Sequence, residues 1–170
     1  MATLRDFFKK TSTHASAQQT EKGPEVPKGL WRKCNKCGAA IYTDDVLDNH
    51  YICPKCGGYF RMHARRRIEM IADSGSFEEW DRGLEFSNPL HFGGYERKVR
   101  ELQERTGLDE AAVTGRARIG GYPAVLCVMD ARFLMASMGH VVGEKIARAV
   151  ERATEEGLPV IIFACSGGAR

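Results

Sequence analysis

Two pairs of cysteines, Cys34-Asn35-Lys36-Cys37 and Cys53-Pro54-Lys55-Cys56, stand 15 residues apart. Two residues between paired thiols let a tight turn aim both sulfurs at one metal ion, and two such knuckles complete a tetrahedron. Gly38 and Gly57 follow the pairs and favour those turns. Four thiolates leave no open coordination position, so the spacing points to one structural Zn2+ per chain, whose binding supplies folding free energy to a module too small for a core of its own. Two disulfides are the competing use of the four cysteines. Against them stand the absence of a secretory signal and the presence of Cys127 and Cys165, unpaired in apolar strands where a thiol behaves as a small hydrophobe. An iron-sulfur cluster also takes four thiolates, although the symmetric ribbon spacing is that of zinc. His50 and His63 lie nearby, but the thiolates already fill the coordination sphere and neither histidine is assigned as a ligand.

A second group with chemical potential is Ser166-Gly167-Gly168, which follows the apolar run Val160 to Cys165. A glycine turn at the rim of a sheet presents successive amides unblocked by side chains, an arrangement that suits an enolate oxygen or a phosphate and is equally that of an ordinary tight turn. Arg61, Arg65, Arg66 and Arg67, directly after the second knuckle, suit a nucleic acid, an acidic partner or a phosphate-bearing ligand. No Ser-His-Asp arrangement or carboxylate pair stands out.

These groups need a scaffold, and its outline follows from periodicity. Leu4 to Lys10 fits a short helix, and Thr11 to Pro27 is polar and aperiodic, so residues 1–27 read as a flexible tail. Residues 28–62 form a loop-rich ribbon with brief strands at Ile41-Tyr42, Tyr51-Ile52 and Tyr59-Phe60. Ala64, Ile68 and Ile71, and again Tyr95, Val99 and Leu102, recur at helical spacing. Ala112 to Ile119 and Tyr122 to Met129 are strands joined by Gly120-Gly121, a hairpin dipeptide. Val142, Ile146, Ala149 and Ala153 mark a helix ending near Gly157, and Val160 to Cys165 reads as a fully buried strand. Strand, helix, strand and glycine turn make residues 63–170 an α/β unit.

Composition sets outer bounds. Of 170 residues 43% are hydrophobic, enough for one moderate core and a small accessory module. No apolar run approaches the roughly 20 residues of a bilayer-spanning helix, and a cytoplasmic setting with no membrane contact is expected. The net charge of +3 is uneven, with 13 Lys/Arg against 7 Asp/Glu in residues 1–70 and 12 against 15 in the remainder. The basic half is the one that carries the ribbon, which keeps a nucleic-acid-binding ribbon protein as the second reading.

The ribbon Cys34 to Cys56, Val113-Thr114-Gly115, Ser137-Met138-Gly139-His140-Val141-Val142-Gly143-Glu144-Lys145 and Pro159 to Arg170 together resemble the β subunit family of acetyl-CoA carboxylase carboxyltransferase, in the same order and at similar separations. Asp6-Phe7-Phe8 and the lead-in Pro27 to Trp31 fit as well. The resemblance implies a crotonase-like (ClpP/crotonase) fold, here truncated, behind a four-cysteine zinc ribbon. It implies carboxyl transfer from carboxybiotin to acetyl-CoA, giving malonyl-CoA for fatty acid synthesis, within an ATP-dependent complex. The expected partners are an α subunit (α2β2), a biotin carboxyl carrier protein that supplies the biotin, and biotin carboxylase. By resemblance the amides of Gly167 and Gly168 form the oxyanion hole, and Ser137, Met138, Gly139 and Ser166 line the acyl-CoA pocket; Glu144-Lys145, by residue type, reads as a solvated helix turn. The sequence departs from the family at Met135-Ala136, where a Gly-Gly pair is common, and it stops at Arg170, inside the signature. The expectation is therefore a polypeptide that is inactive alone.

Overall fold

The computed structural model describes residues 29–170; the expected tail and the Leu4 to Lys10 helix lie outside them. The chain divides into two compact units between Gly58 and Tyr59.

In the first unit, strands β1 (Trp31–Lys33) and β2 (Ala40–Tyr42) pair antiparallel, Trp31 opposite Tyr42. Their rings meet edge to face at 5.6 Å. The two knuckles share one hydrogen-bond pattern. Cys34 N donates to Ala39 O at 2.9 Å and Gly38 N to Cys34 O at 2.8 Å; Cys53 N donates to Gly58 O at 2.7 Å and Gly57 N to Cys53 O at 2.9 Å. Gly38 and Gly57 sit at φ of 74° and 67°, the left-handed region in which a Cβ is strained, which is why each pair is followed by glycine. Between the knuckles a short helix, α1 (Thr43–Asp48), buries Val46. Periodicity did not signal it, because six residues are too few to show a 3.6-residue repeat. The Tyr51-Ile52 and Tyr59-Phe60 strands shrink to single-residue bridges at Ile52 and Tyr59.

The second unit is a four-stranded mixed sheet, order β3-β4-β5-β6, with β3 Glu78–Trp80, β4 Ala112–Ile119, β5 Tyr122–Met129 and β6 Val160–Phe163. The β4–β5 hairpin holds the expected limits, pairing Ile119 with Tyr122. Gly120 and Gly121 both have positive φ, 58° and 84°, as a two-residue turn of matching twist requires. Asp73 accepts hydrogen bonds from both turn amides, at 2.8 and 2.7 Å. The expected helices are present as α2 (Ala64–Ile71), α3 (Tyr95–Thr106) and α4 (His140–Glu156). Ile68, Val99, Leu102, Val113, Leu126, Val128, Phe133 and Val142 build the core. Strand β3 was not foreseen. It pairs with β4 across Gly115, where an added Cβ would lie 2.1 Å from Glu78 O, so the glycine allows the two backbones to approach.

One expectation is corrected here. Strand β6 is not fully buried: Ile161 and Ile162 are 36% and 46% exposed. It lies at the sheet edge, paired in parallel with β5 alone among the described strands. Cys165, expected in a buried strand, lies past the end of β6 and is exposed, whereas Cys127 in central β5 is buried. Burial pushes the Cys127 thiol up to about 11, consistent with an inert hydrophobe.

Candidate functional site

The four sulfurs of Cys34, Cys37, Cys53 and Cys56 lie within 4.8 Å of one another. The close pairs join opposite knuckles, Cys34 Sγ to Cys56 Sγ at 3.6 Å and Cys37 Sγ to Cys53 Sγ at 3.9 Å. A zinc tetrahedron with metal–sulfur bonds of about 2.3 Å has edges of about 3.8 Å, between those two values, whereas a disulfide would bring sulfurs to about 2.05 Å. The donor set thus fits zinc. No histidine belongs to the cluster among the described residues. The thiols do not behave alike. The Cys37 amide, against burial, draws Cys34 down to about 6. At Cys56 the Gly58 amide opposes a rise, but burial and the neighbouring thiols push it up to about 12. Four anionic sulfurs crowded together need a cation to hold them all ionised.

In the second unit two stretches far apart in sequence are brought side by side. Met138 and Ala169 form a parallel bridge, in which Met138 N donates to Gly168 O at 2.8 Å and Arg170 N to Met138 O at 2.9 Å. The Ser137–Gly139 stretch therefore runs alongside Gly168, Ala169 and Arg170, the end of the glycine turn. Ser166 Oγ donates to Gly168 O at 2.8 Å and accepts from Gly168 N at 3.0 Å, so this amide already has a local partner. The Gly167 amide has none among the described residues. Gly168, at φ 143°, holds a conformation that side-chain-bearing residues rarely adopt.

Arg170 closes the arrangement from within, a contact that sequence reasoning missed. Its guanidinium donates to Ser137 O, to Ser137 Oγ at 3.0 Å, to Tyr95 Oη at 3.1 Å and to the Glu110 carboxylate. An added Cβ at Gly139 would sit 2.9 Å from Arg170 Nη2, so the glycine of the Ser-Met-Gly stretch makes room for the arginine. A cleft of about 480 Å³ opens beside it, lined by Leu90, Phe92, Tyr95, Leu134, Gly139 and Arg170 among others.

The turn before this site explains the departure at Met135-Ala136. Leu134, Met135 and Ala136 have φ of 43°, 56° and 56°, three successive left-handed residues without a glycine. Positions of that geometry favour glycine, and here side chains occupy them at a conformational cost.

Glu144 and Lys145 separate. Glu144 pairs with Arg148 at 2.7 Å on the outer face of α4, as a solvated turn would. Lys145 contradicts the expectation: it is 1% exposed. It falls on the core-facing side of α4 with Val141, Val142 and Ala149, since residues three to four apart share a face. Burial lowers its pKa, while Asp109, Glu79, Asp81 and Glu110 pull the other way. Asp81, nearly buried, takes Arg148 and Arg152 on Oδ1, at 3.4 and 3.1 Å, and leaves Oδ2 without a partner among the described residues.

Comparison with known proteins places these features. Residues 60–170 match the carboxyl transferase domain, and residues 31–56 match the acetyl-CoA carboxylase zinc finger domain. The chain belongs to the carboxyl transferase family. Its relatives include the acetyl-coenzyme A carboxylase carboxyl transferase subunit beta of Clostridium botulinum (strain Kyoto / Type A2), 46% identical over 173 residues, covering 98% of this chain and 60% of the relative. The corresponding subunit of Clostridium kluyveri is 46% identical over 175 residues with the same coverage. The chain thus spans about 60% of the length of these curated relatives. Among solved structures, the transcarboxylase 12S with methylmalonyl-coenzyme A and methylmalonic acid bound aligns with a TM-score of 0.56 at 27% identity, over 65% of this chain and 20% of that one. A single-chain, multi-domain long-chain acyl-CoA carboxylase aligns at 0.54 and 27%, over 75% and 12%. The mixed sheet of residues 59–170 is accordingly a carboxyl transferase fold of the crotonase-like class, behind a four-cysteine zinc ribbon. No described helix is long and apolar enough to cross a membrane.

Proposed function

We propose that this chain provides part of the β subunit of an acetyl-CoA carboxylase carboxyltransferase, acting in the cytoplasm on acetyl-CoA to give malonyl-CoA. Residues 28–62 are its zinc ribbon and residues 63–170 its portion of the transferase domain. Cys34, Cys37, Cys53 and Cys56 hold a structural zinc ion. The observation that carries the reading is the bridge between Met138 and Ala169, which joins the two stretches assigned to acyl-CoA at one end of the sheet.

Removing a proton beside a thioester puts negative charge on the carbonyl oxygen, and a preorganised amide lowers that barrier most where the charge develops. The Gly167 amide is available to the oxygen at once, and the Gly168 amide becomes so when the oxygen replaces Ser166 Oγ as its acceptor. Ser166, Ser137, Met138 and Gly139 shape the pocket around the thioester. The carboxylated biotin, brought by the carrier protein, would supply the carboxyl group, and the biotin anion left by its release would take the proton removed from the acyl-CoA. An α subunit and biotin carboxylase complete the proposed complex.

A nucleic-acid role has less support. Arg65 pairs with Glu79 at 2.9 Å, Arg66 with Glu69 at 3.2 Å, and Arg67 lies over the Phe163 ring at 5.3 Å, so three of the four arginines have partners in the chain itself. The test is malonyl-CoA formation by the full-length subunit with its α partner and carboxylated carrier. Activity that falls on Gly167→Val supports the assignment. No transfer by the assembled wild type, together with salt-sensitive binding of RNA or DNA, would replace it with the second reading.

A further inference from the structure

Arg170 stands at the wall of the cleft, with its side chain only 16% exposed. Its partner Glu110 is 2% exposed. One Glu110 oxygen accepts the Ala111 amide at 2.8 Å and the other accepts Arg170 Nη2. The carboxylate is fixed at the entrance to β4 and compensates the guanidinium. Arg170 uses its remaining donors on Ser137 and Tyr95, reaching both the pocket stretch and α3. Its backbone amide meanwhile joins the bridge to Met138. A guanidinium presents five donors in a rigid plane, so a carboxylate that holds one edge sets the direction of the others.

We infer that Glu110 is a positioning residue, which through Arg170 holds the Ser137–Gly139 stretch against the glycine turn Ser166–Ala169. Its catalytic consequence rests on the proposed carboxyl transfer; the clasp itself does not. Charge-assisted hydrogen bonds of this kind change equilibria by about 10- to 100-fold when one partner is removed.

The experiment compares Glu110→Gln, Arg170→Gln and the double variant in the full-length protein, by amide hydrogen exchange and by steady-state kinetics of the assembled enzyme. Glutamine keeps the shape of Glu110 and removes its charge. The expected result is exchange about tenfold faster or more at the Met138 and Arg170 amides, with β4–β5 amides such as Val113 and Val128 unchanged. In the double variant the loss should equal that of Arg170→Gln alone, because Glu110 acts through Arg170. Turnover should fall more than the KM for acetyl-CoA rises. Unchanged exchange at Met138 in Glu110→Gln overturns the inference. So does equal acceleration throughout the sheet, which would make Glu110 a general stabiliser, and so do additive single effects. If the assembled wild type transfers no carboxyl group while the exchange pattern holds, the functional reading fails and the clasp stands.

Discussion

Replacing Met135 with glycine should stabilise the protein. At φ 56° the Met135 Cβ crowds the following carbonyl, a conformation that costs an L-residue about 1–2 kcal/mol. The side chain is 59% exposed, so little burial is forfeited when it is removed. Glycine brings an opposing cost of about 0.5–1 kcal/mol, because the unfolded chain gains freedom. The difference favours the variant by about 0–1.5 kcal/mol, centred on about 0.75 kcal/mol, or roughly 2–3 °C in Tm at that centre. Ala136 has the same φ but is fully buried, and loss of its methyl group costs about 0.8 kcal/mol, so Ala136→Gly should be close to neutral. Urea denaturation followed by the fluorescence of Trp80 in β3 measures both. The control is Met135→Ala, which keeps the Cβ and should give no gain. A Met135→Gly variant less stable than wild type, or a Met135→Ala variant equally stabilised, would refute the argument from left-handed strain.

Other consequences can be checked in the same way. Gly139→Ala places a Cβ 2.9 Å from Arg170 Nη2, so the guanidinium must shift and its hydrogen bonds to Ser137 and Glu110 lengthen; acyl-CoA binding, read by calorimetry, should weaken by up to about tenfold. Gly115→Ala puts a Cβ 2.1 Å from Glu78 O; detaching β3 should cost about 1–3 kcal/mol of stability in urea titration. Chelation of zinc should collapse NMR dispersion for residues 31–58 while the Val113 and Val128 amides of β4–β5 keep their shifts, and a persistently folded metal-free ribbon would contradict the structural role of the metal. Lys145 has its folded-state pKa lowered below the usual 10.5 by burial, so the unfolded state binds more protons just below that value. Stability therefore rises with pH in that window, and Lys145→Met should remove this part of the slope in pH-dependent denaturation.

Much of this architecture is local and could be read from the chain alone. The knuckle spacing, the Gly120-Gly121 turn and the apolar faces of α2, α3 and α4 each depend on residues within a few positions of one another, where backbone sterics and side-chain periodicity act directly. Helix α1 and strand β3 escaped because each is too short for a period to show, and β3 exists through its pairing with β4. Lys145 illustrates a different limit. Its type argued for solvent, but its position on α4 was set by Val141, Val142 and Ala149, whose burial carries the lysine inward.

At the candidate site, the sequence determined which residues could take part: four cysteines, the Ser-Met-Gly stretch and the Ser-Gly-Gly turn. Only tertiary structure decided that Met138 lies beside Ala169, that Gly139 is small to admit Arg170, and that Arg170, at the wall of the cleft, reaches Glu110. Those contacts join residues 31 to 60 positions apart. Nothing local in the chain encodes such a meeting; it is settled when the sheet and α4 bury their common core and leave the loops at one rim no other place to go.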